Sequence, residues 1–202
     1  MKIKYLAHAA FLITTDNGTR IITDPYTPGQ GMNYRPITDA ADVVTISHEH
    51  GDHNNTAGVK GEPAVLRDSG NAAGIDFKAV KTFHDDEGGS LRGSNTVFVF
   101  EADGMKVAHL GDLGHVLTDE QAGEIGEVDI VLVPVGGYFT IDADRASRNA
   151  KLVKAKVIIP MHFKTESCDL PIQAVDIFLT AKTNVTKTHL SEITLNTGNL
   201  PK

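Results

Sequence analysis

The chain has 202 residues, 41% hydrophobic and 22% charged, with a formal net charge of −7. That length suits one compact domain over 1–202, and the apolar share supports a real core, which excludes a wholly disordered chain. The acidic balance argues against a non-specific nucleic-acid binder, which shows a basic stripe, while leaving room for a local basic pocket.

A single cysteine, Cys168, rules out an intrachain disulfide framework. Its neighbours in "TESCDLP" include no histidine and no activating base, so it reads as an unreactive thiol, and a reducing, cytoplasmic compartment is expected. The N-terminal "MKIKYLAHAAFLITTD" has two lysines followed by apolar residues, the outline of a signal peptide. His8 interrupts that apolar run, however, and Tyr5, Phe11, Leu12 and Ile13 suit a strand better. No window reaches the eighteen or so apolar residues of a membrane helix, so no membrane partner is expected.

Short β-type runs occupy the first half: "KIKYL", "AFLITT", "TRIITD" and "DVVTIS" at 42–47. The "DNG" at 16–18 between the second and third is a hairpin signal. "DPYTPGQGMNYRPITDA" carries three prolines and two glycines and reads as a surface loop, a candidate cover for a site. Further strands are predicted at about 64–67, 76–83, 95–102 and 105–110, the last two joined by the hairpin "ADGM". In the second half, Thr118 with Gln121 three residues on forms a capping-box pattern, and Gly126 is placed to end that helix. A buried strand "VDIVLVPV" follows. A helix over about 143–154 comes next, with Asp142 as its cap and Ala146, Ala150 and Val153 on one face. "KVIIPMH" is a further strand, Pro171 opens a last helix through about Lys182, and a short strand or two ends the chain. Hairpins followed by β–α–β units predict an α/β layered domain with helices covering the sheets; no internal repeat is visible.

The stretch "TISHEHGDHNN" packs His48, Glu49, His50, Asp52 and His53 into six positions directly after the buried strand, where sites in sheet proteins commonly sit. On extended chain, residues 48 and 50 point to the same side, so two imidazoles can converge on one ion at about 2.0–2.1 Å. Gly51 permits a turn that returns Asp52 and His53 beside them. Four ligands on one ion would leave little room for others, and two adjacent ions fit the crowding better. His84, Asp112 and His162 also fall at strand-to-loop junctions.

His-x-His-x-Asp-His after a buried strand, a later lone His, a Gly-Asp and a final strand-ending His resemble the metallo-β-lactamase superfamily. "HLGDLGH", "VPVGGYFTID" and "IPMHFKT" are most similar to its compact metal-dependent hydrolase branch, which includes ascorbate-6-phosphate lactonase-like proteins. The resemblance implies a four-layer αβ/βα sandwich with the site along one edge of two sheets. It implies that His48, His50 and His84 bind one divalent metal ion, that Asp52, His53 and His162 bind a second, and that Asp112 bridges both. A histidine at position 50, where diiron relatives place glutamate, leans towards Zn2+ over Mn2+ or Fe2+.

Asp112, Asp52 and His115 are the candidate catalytic residues. His115 either faces the cleft as proton donor or substrate contact, or caps the chain before the helix at 118. His8 either reaches the site or packs beside it, and Asp24 in "TDPY" is an expected support for a ligand. The carboxylates Asp85, Asp86 and Glu87 compete with His84 or orient ring nitrogens. Lys164 is an ordinary solvated lysine or a contact for phosphate or carboxylate, whereas His109 and His189 read as structural. Two ions about 3.5–4 Å apart share a water and lower its pKa from about 15.7 towards about 7, giving a hydroxide nucleophile. The expected function is hydrolysis of a small-molecule ester, lactone or phosphoester. The competing readings are a phosphodiesterase or nuclease, and a non-catalytic metal-binding protein of the same fold.

Overall fold

The structure, a computed structural model, describes residues 1–180 and 182–201. The first hairpin cue joins β2 (Ala10–Thr14) to β3 (Arg20–Thr23), with β1 (Lys2–Ala7) paired on the other side of β2. The apolar run of the motif strand, β4 (Val43–Thr45), is buried at all three positions and pairs in parallel with β3 and with β5 (Ala64–Leu66). A short strand β6 (Gly70–Ala72), absent from the sequence-based prediction, opens the second sheet. Next come β7 (Ile75–Phe83), β8 (Ser94–Ala102), β9 (Met105–His109), β10 (Ile130–Pro134) and β11 (Val157–Met161). A last strand, β12 (Glu192–Thr194), returns to pair antiparallel with β1.

The order is β12-β1-β2-β3-β4-β5 in one sheet and β11-β10-β9-β8-β7-β6 in the other. Read from β12 and from β6, the two sheets share one pattern: three antiparallel pairings followed by two parallel ones. The chain thus carries a structural duplication that its sequence does not display.

Between the sheets lies one core, in which Ile3, Phe11, Ile13 and Ile21 of the first meet Phe77, Phe98, Phe100 and Leu132 of the second. Outside the second sheet, Val80, Val97, Val99 and Val131 pack under the helices α1 (Asp119–Ile125), α2 (Ala143–Leu152) and α3 (Val175–Leu179). The caps are as predicted. Thr118 Oγ accepts from Gln121 N while Gln121 Oε1 accepts from Thr118 N, Gly126 closes α1, and Asp142 accepts from Arg145 N at the start of α2. Outside the first sheet, the Pro-rich segment folds down over Ile22, Val44 and Ile46 through Tyr26, Met32 and Ile37. The result is the αβ/βα sandwich, with irregular chain forming the outer layer over the first sheet.

The last helix departs from expectation. Residues 171–174 run extended: Gln173 N donates to Gly136 O, Lys164 N donates to Gln173 O, and α3 has only five residues. The fixed φ of Pro171 suits extended chain as well as a first helical turn, and backbone pairing with two neighbouring loops decided between them. The predicted run through Lys182 includes Ala181, which lies outside the described residues.

Candidate metal centre

Within each sheet, alternate antiparallel strands and the parallel ones point the same way, so β1, β3 and β4 end at one edge, as do β7, β9 and β11. The residues that follow those ends are His8, Asp24 and the 48–53 turn in the first sheet, and His84, Asp112 and His162 in the second. The topology therefore gathers side chains more than 150 residues apart along one rim.

Two glycines draw the loops together. A Cβ on Gly111, whose φ is +55°, would lie 2.5 Å from Ser47 Cβ and 2.4 Å from Asn95 Oδ1. One on Gly114 would lie 2.2 Å from the backbone nitrogen of Asp85. The "GDLG" spacing thus lets the Asp112 loop lie directly on the His48 and His84 loops. Three non-glycine residues of the rim also hold left-handed backbone: His8 (φ 56°), Asp24 (φ 38°) and His162 (φ 52°). Such conformations cost of order 1–3 kcal/mol each and persist where surrounding contacts enforce them. Here His162 N donates to His8 O, and the two rings sit 4.0 Å apart, locking the bends against each other.

Ligand atoms converge in His48, His50 and His84, in His8, Asp52, His53 and His162, and in a third set, Asp24 with His48 and His53, that overlaps both. Asp112 lies between the first two. Its Oδ2 is 3.2 Å from His84 Nε2 and 4.0 Å from His48 Nε2, and 3.2 Å and 3.3 Å from Nε2 of His53 and His162. All seven residues expected from the sequence come together, and His8 joins the second group, with Nε2 at 3.3 Å from Asp52 Oδ2.

Asp24 supports the first sheet's ligands as expected. Fully buried, it accepts from Ser47 N (2.8 Å), Ser47 Oγ (2.5 Å) and His53 Nδ1 (2.8 Å). Because Ser47 Oγ gives its proton to Asp24, it accepts from His48 Nδ1 at 2.9 Å. One carboxylate therefore orients two histidines, turning both Nε2 atoms inward and leaving that of His48 as a lone pair. Asn95 holds the backbone of Asp112, accepting from Asp112 N while donating to Thr82 Oγ1 and Leu110 O.

His48 Nε2, His53 Nε2, His84 Nδ1, His162 Nδ1, His8 Nδ1 and Asp112 Oδ1 are buried without a hydrogen-bond partner. Of these, His48 Nε2 and His53 Nε2 lie 4.0 Å and 3.2 Å from Asp112 Oδ2, where a cation would satisfy both; the nitrogen-rich donor set fits a transition metal. Charge agrees for most of the set. Burial, reinforced by His53, lowers the His48 pKa to about 3, and burial with His162 lowers that of His8 to about 4. Burial and the nearby His84 lower His50. Burial raises the carboxyl pKa of Asp112, but His162 and His53 outweigh it and hold it well below the usual range. Asp52 is likewise lowered, His53 and His8 overcoming burial. Neutral imidazoles and ionised carboxylates are the forms a metal requires. His53 is the exception, since Asp112 and Asp52 overcome its burial and raise its pKa.

Other expectations resolve by position. His109 is buried, with Nε2 at 2.9 Å from Ala9 O and Nδ1 accepting from Gly111 N, and His189 is exposed. His115 Nε2 accepts from Phe83 N and Nδ1 donates to Val116 O, so both ring nitrogens serve the backbone. Lys164 Nζ donates to Leu170 O. Asp85 neither ligates nor orients a ring: its carboxylate accepts from the backbone of Glu87, Gly89, Leu91 and Arg92. Ser47, Asn95 and Arg92 were missed by sequence reasoning. Ser47 adjoins the motif and could have been found; the other two carry no local signal.

Two mixed sheets packed face to face, with a His/Asp cluster on their common rim, define the metallo-β-lactamase fold. The chain belongs to the beta-lactamase superfamily domain family, which it matches over residues 2–162, and its relatives lie among the metal-dependent hydrolases. It is 31% identical to a UPF0173 metal-dependent hydrolase of Carboxydothermus hydrogenoformans, over 88% of this chain and 89% of the relative. With that of Alkaliphilus metalliredigens the identity is 33%, over 82% and 86%. A solved Thermotoga maritima structure, provisionally assigned as a Zn-dependent hydrolase of the metallo-β-lactamase superfamily, superposes with a TM-score of 0.74. Its identity is 46%, with 88% of this chain and 84% of that one covered.

Proposed function

We propose that this protein uses two divalent ions, zinc by the nature of the donors, to hydrolyse a small-molecule ester, lactone or phosphoester in the cytoplasm. The observation that carries the reading is the Asp112 carboxylate lying within 3.2–4.0 Å of imidazole nitrogens from both groups. His48, His50 and His84 would hold one ion, Asp52, His53 and His162 the other, and Asp112 both. Ions held there supply Lewis acidity, lowering the pKa of water from about 15.7 towards about 7 and offsetting charge on the attacked oxygen. Asp24 and Ser47 keep Nε2 of His48 and His53 aimed inward before substrate arrives. Asp52 lies 3.3 Å from His8 Nε2, a contact that fixes the orientation of its carboxylate. Two clefts adjoin the cluster, of about 270 Å³ beside His84 and about 350 Å³ beside His48 and His50. Their size suits a small molecule, and His50 is the exposed ligand that faces it. No helix among the described residues is long and apolar enough to cross a membrane.

The test combines elemental analysis with turnover of an ester, lactone and phosphodiester panel by zinc- and manganese-loaded protein. Near two equivalents of metal per chain are expected. Asp112→Ala is expected to lower turnover by more than about 100-fold, beyond the loss typical of residues that only orient ligands, with the far-ultraviolet circular dichroism retained. Absence of metal sinks the site; full activity in Asp112→Ala removes the bridge.

A further inference from the structure

The two clefts beside the cluster share one charged side chain that belongs to neither metal group. Arg92 lines the cleft that contains His84, Tyr138 and Phe139, and also the cleft that contains His48, His50 and Lys81. It is half-buried, between the two openings of the site.

Its surroundings leave it without an ion-pair partner. In the first cleft, Arg145 is paired with Asp86 at 3.1 Å, Asp142 caps α2, and Asp85 is satisfied by four backbone N–H groups. In the second, Arg67 is paired with Glu49 at 2.5 Å and Lys81 with Asp68 at 3.3 Å. Arg92 has no carboxylate within 4.0 Å among the described residues. Its guanidinium instead donates from one nitrogen to Tyr138 O at 3.2 Å and lies 5.9 Å from the centre of the Phe139 ring. A neutral carbonyl and an aromatic face hold the planar group in place while leaving charge and further N–H donors free.

The backbone beneath it is equally fixed. Asp85 follows the ligand His84 directly, and its carboxylate gathers the loop that returns to Arg92, taking the Arg92 N–H itself at 2.7 Å. His84 N then donates to Gly93 O, closing the loop on the ligand. One segment of chain thus carries a metal-facing imidazole at one end and a free guanidinium at the other. Arg92 thus presents a positive charge with further N–H donors at the mouth of the site, the chemistry that recognises an oxyanion.

We infer that Arg92 binds an anionic group, a carboxylate or phosphate, carried by the substrate, and so selects anionic substrates for the cluster. The inference rests on the hydrolase reading above and specifies its substrate class. A guanidinium fork suits either oxyanion, binding two of its oxygens at once.

The test is calorimetric titration of metal-replete protein with inorganic phosphate and, separately, with succinate. Arg92→Gln is compared with the wild type and Arg92→Lys, after elemental analysis shows equal metal content. Arg92→Gln is expected to weaken at least one probe by about tenfold or more, as for loss of a charged hydrogen bond, with Arg92→Lys between. The probe affected identifies the anion. Wild-type protein that binds neither probe below about 10 mM (a free energy weaker than about 3 kcal/mol), or Arg92→Gln within twofold of wild type for both, overturns the inference. If Arg92-dependent binding is found while the substrate panel shows no turnover, the hydrolase reading fails and the anion site stands. Turnover with Arg92-independent binding is the reverse result.

Discussion

Replacing Asp24 by alanine removes the acceptor of three hydrogen bonds at a site with no solvent access, from Ser47 N, Ser47 Oγ and His53 Nδ1. Each donor left unsatisfied costs about 1–3 kcal/mol, and the terms overlap because the three share one carboxylate. Breaking a buried charged pair by removing one partner costs about 3–5 kcal/mol, and we take that as the net effect in metal-free protein. For a chain of this size, roughly 2–4 °C of Tm is lost per kcal/mol, so metal-free Asp24→Ala should melt about 6–20 °C lower. Asp24→Asn keeps the shape and tolerates the left-handed φ of 38°, and should lose less. Metal binding adds a second loss. With His48 and His53 no longer held in one orientation, affinity should fall about 10–100-fold, equivalent to about 1.4–2.8 kcal/mol. The Tm gap between variant and wild type should therefore widen when both are measured at one fixed excess of free metal. The assays are thermal unfolding with and without metal, and competition against a chromophoric chelator. An unchanged Tm in the metal-free state refutes the hydrogen-bond accounting. A lower Tm with unchanged metal affinity refutes the orienting role and leaves Asp24 a purely structural group.

Proton release gives an independent check on His53. Its raised pKa in metal-free protein comes from Asp112 and Asp52, which overcome burial, so the stability it contributes is fully present below about pH 6.5 and fades as pH rises through the raised value. A metal needs the neutral ring, so binding at neutral pH should expel about one proton and tighten with rising pH. Calorimetry in two buffers of different ionisation enthalpy reads that proton directly, and identical heats would contradict it. Asp85 has the opposite sign. Burial pushes its carboxyl up, but the N–H groups of Arg92, Gly89, Glu87 and Leu91 win and lower the pKa to about 2. Its contribution is present above the ordinary value near 4 and is lost as pH falls through about 2. The difference in urea midpoint between wild type and Asp85→Asn should shrink as pH falls from 5 to 2; a constant difference would count against the loop-gathering role.

Much of this molecule is written in local sequence. The strand runs, the Thr118–Gln121 capping box, the Asp142 cap and the "HEHGDH" turn are set by residues within a few positions of one another. Turn chemistry and hydrophobic period act over that range. The seven clustered residues were legible as types at strand ends, and the resemblance to a superfamily supplied their grouping. The tertiary structure decided what depends on pairing between distant segments. It set the matching pattern of the two sheets, the extended course of residues 171–174, and the seating of Asp112 among imidazoles from both sheets. It also decided between open readings, placing His8 against Asp52 and His162 and both nitrogens of His115 on backbone groups. Asn95 and Arg92 look like ordinary polar residues in sequence. Their roles arise from what long-range packing brings beside them, and no local pattern encodes that.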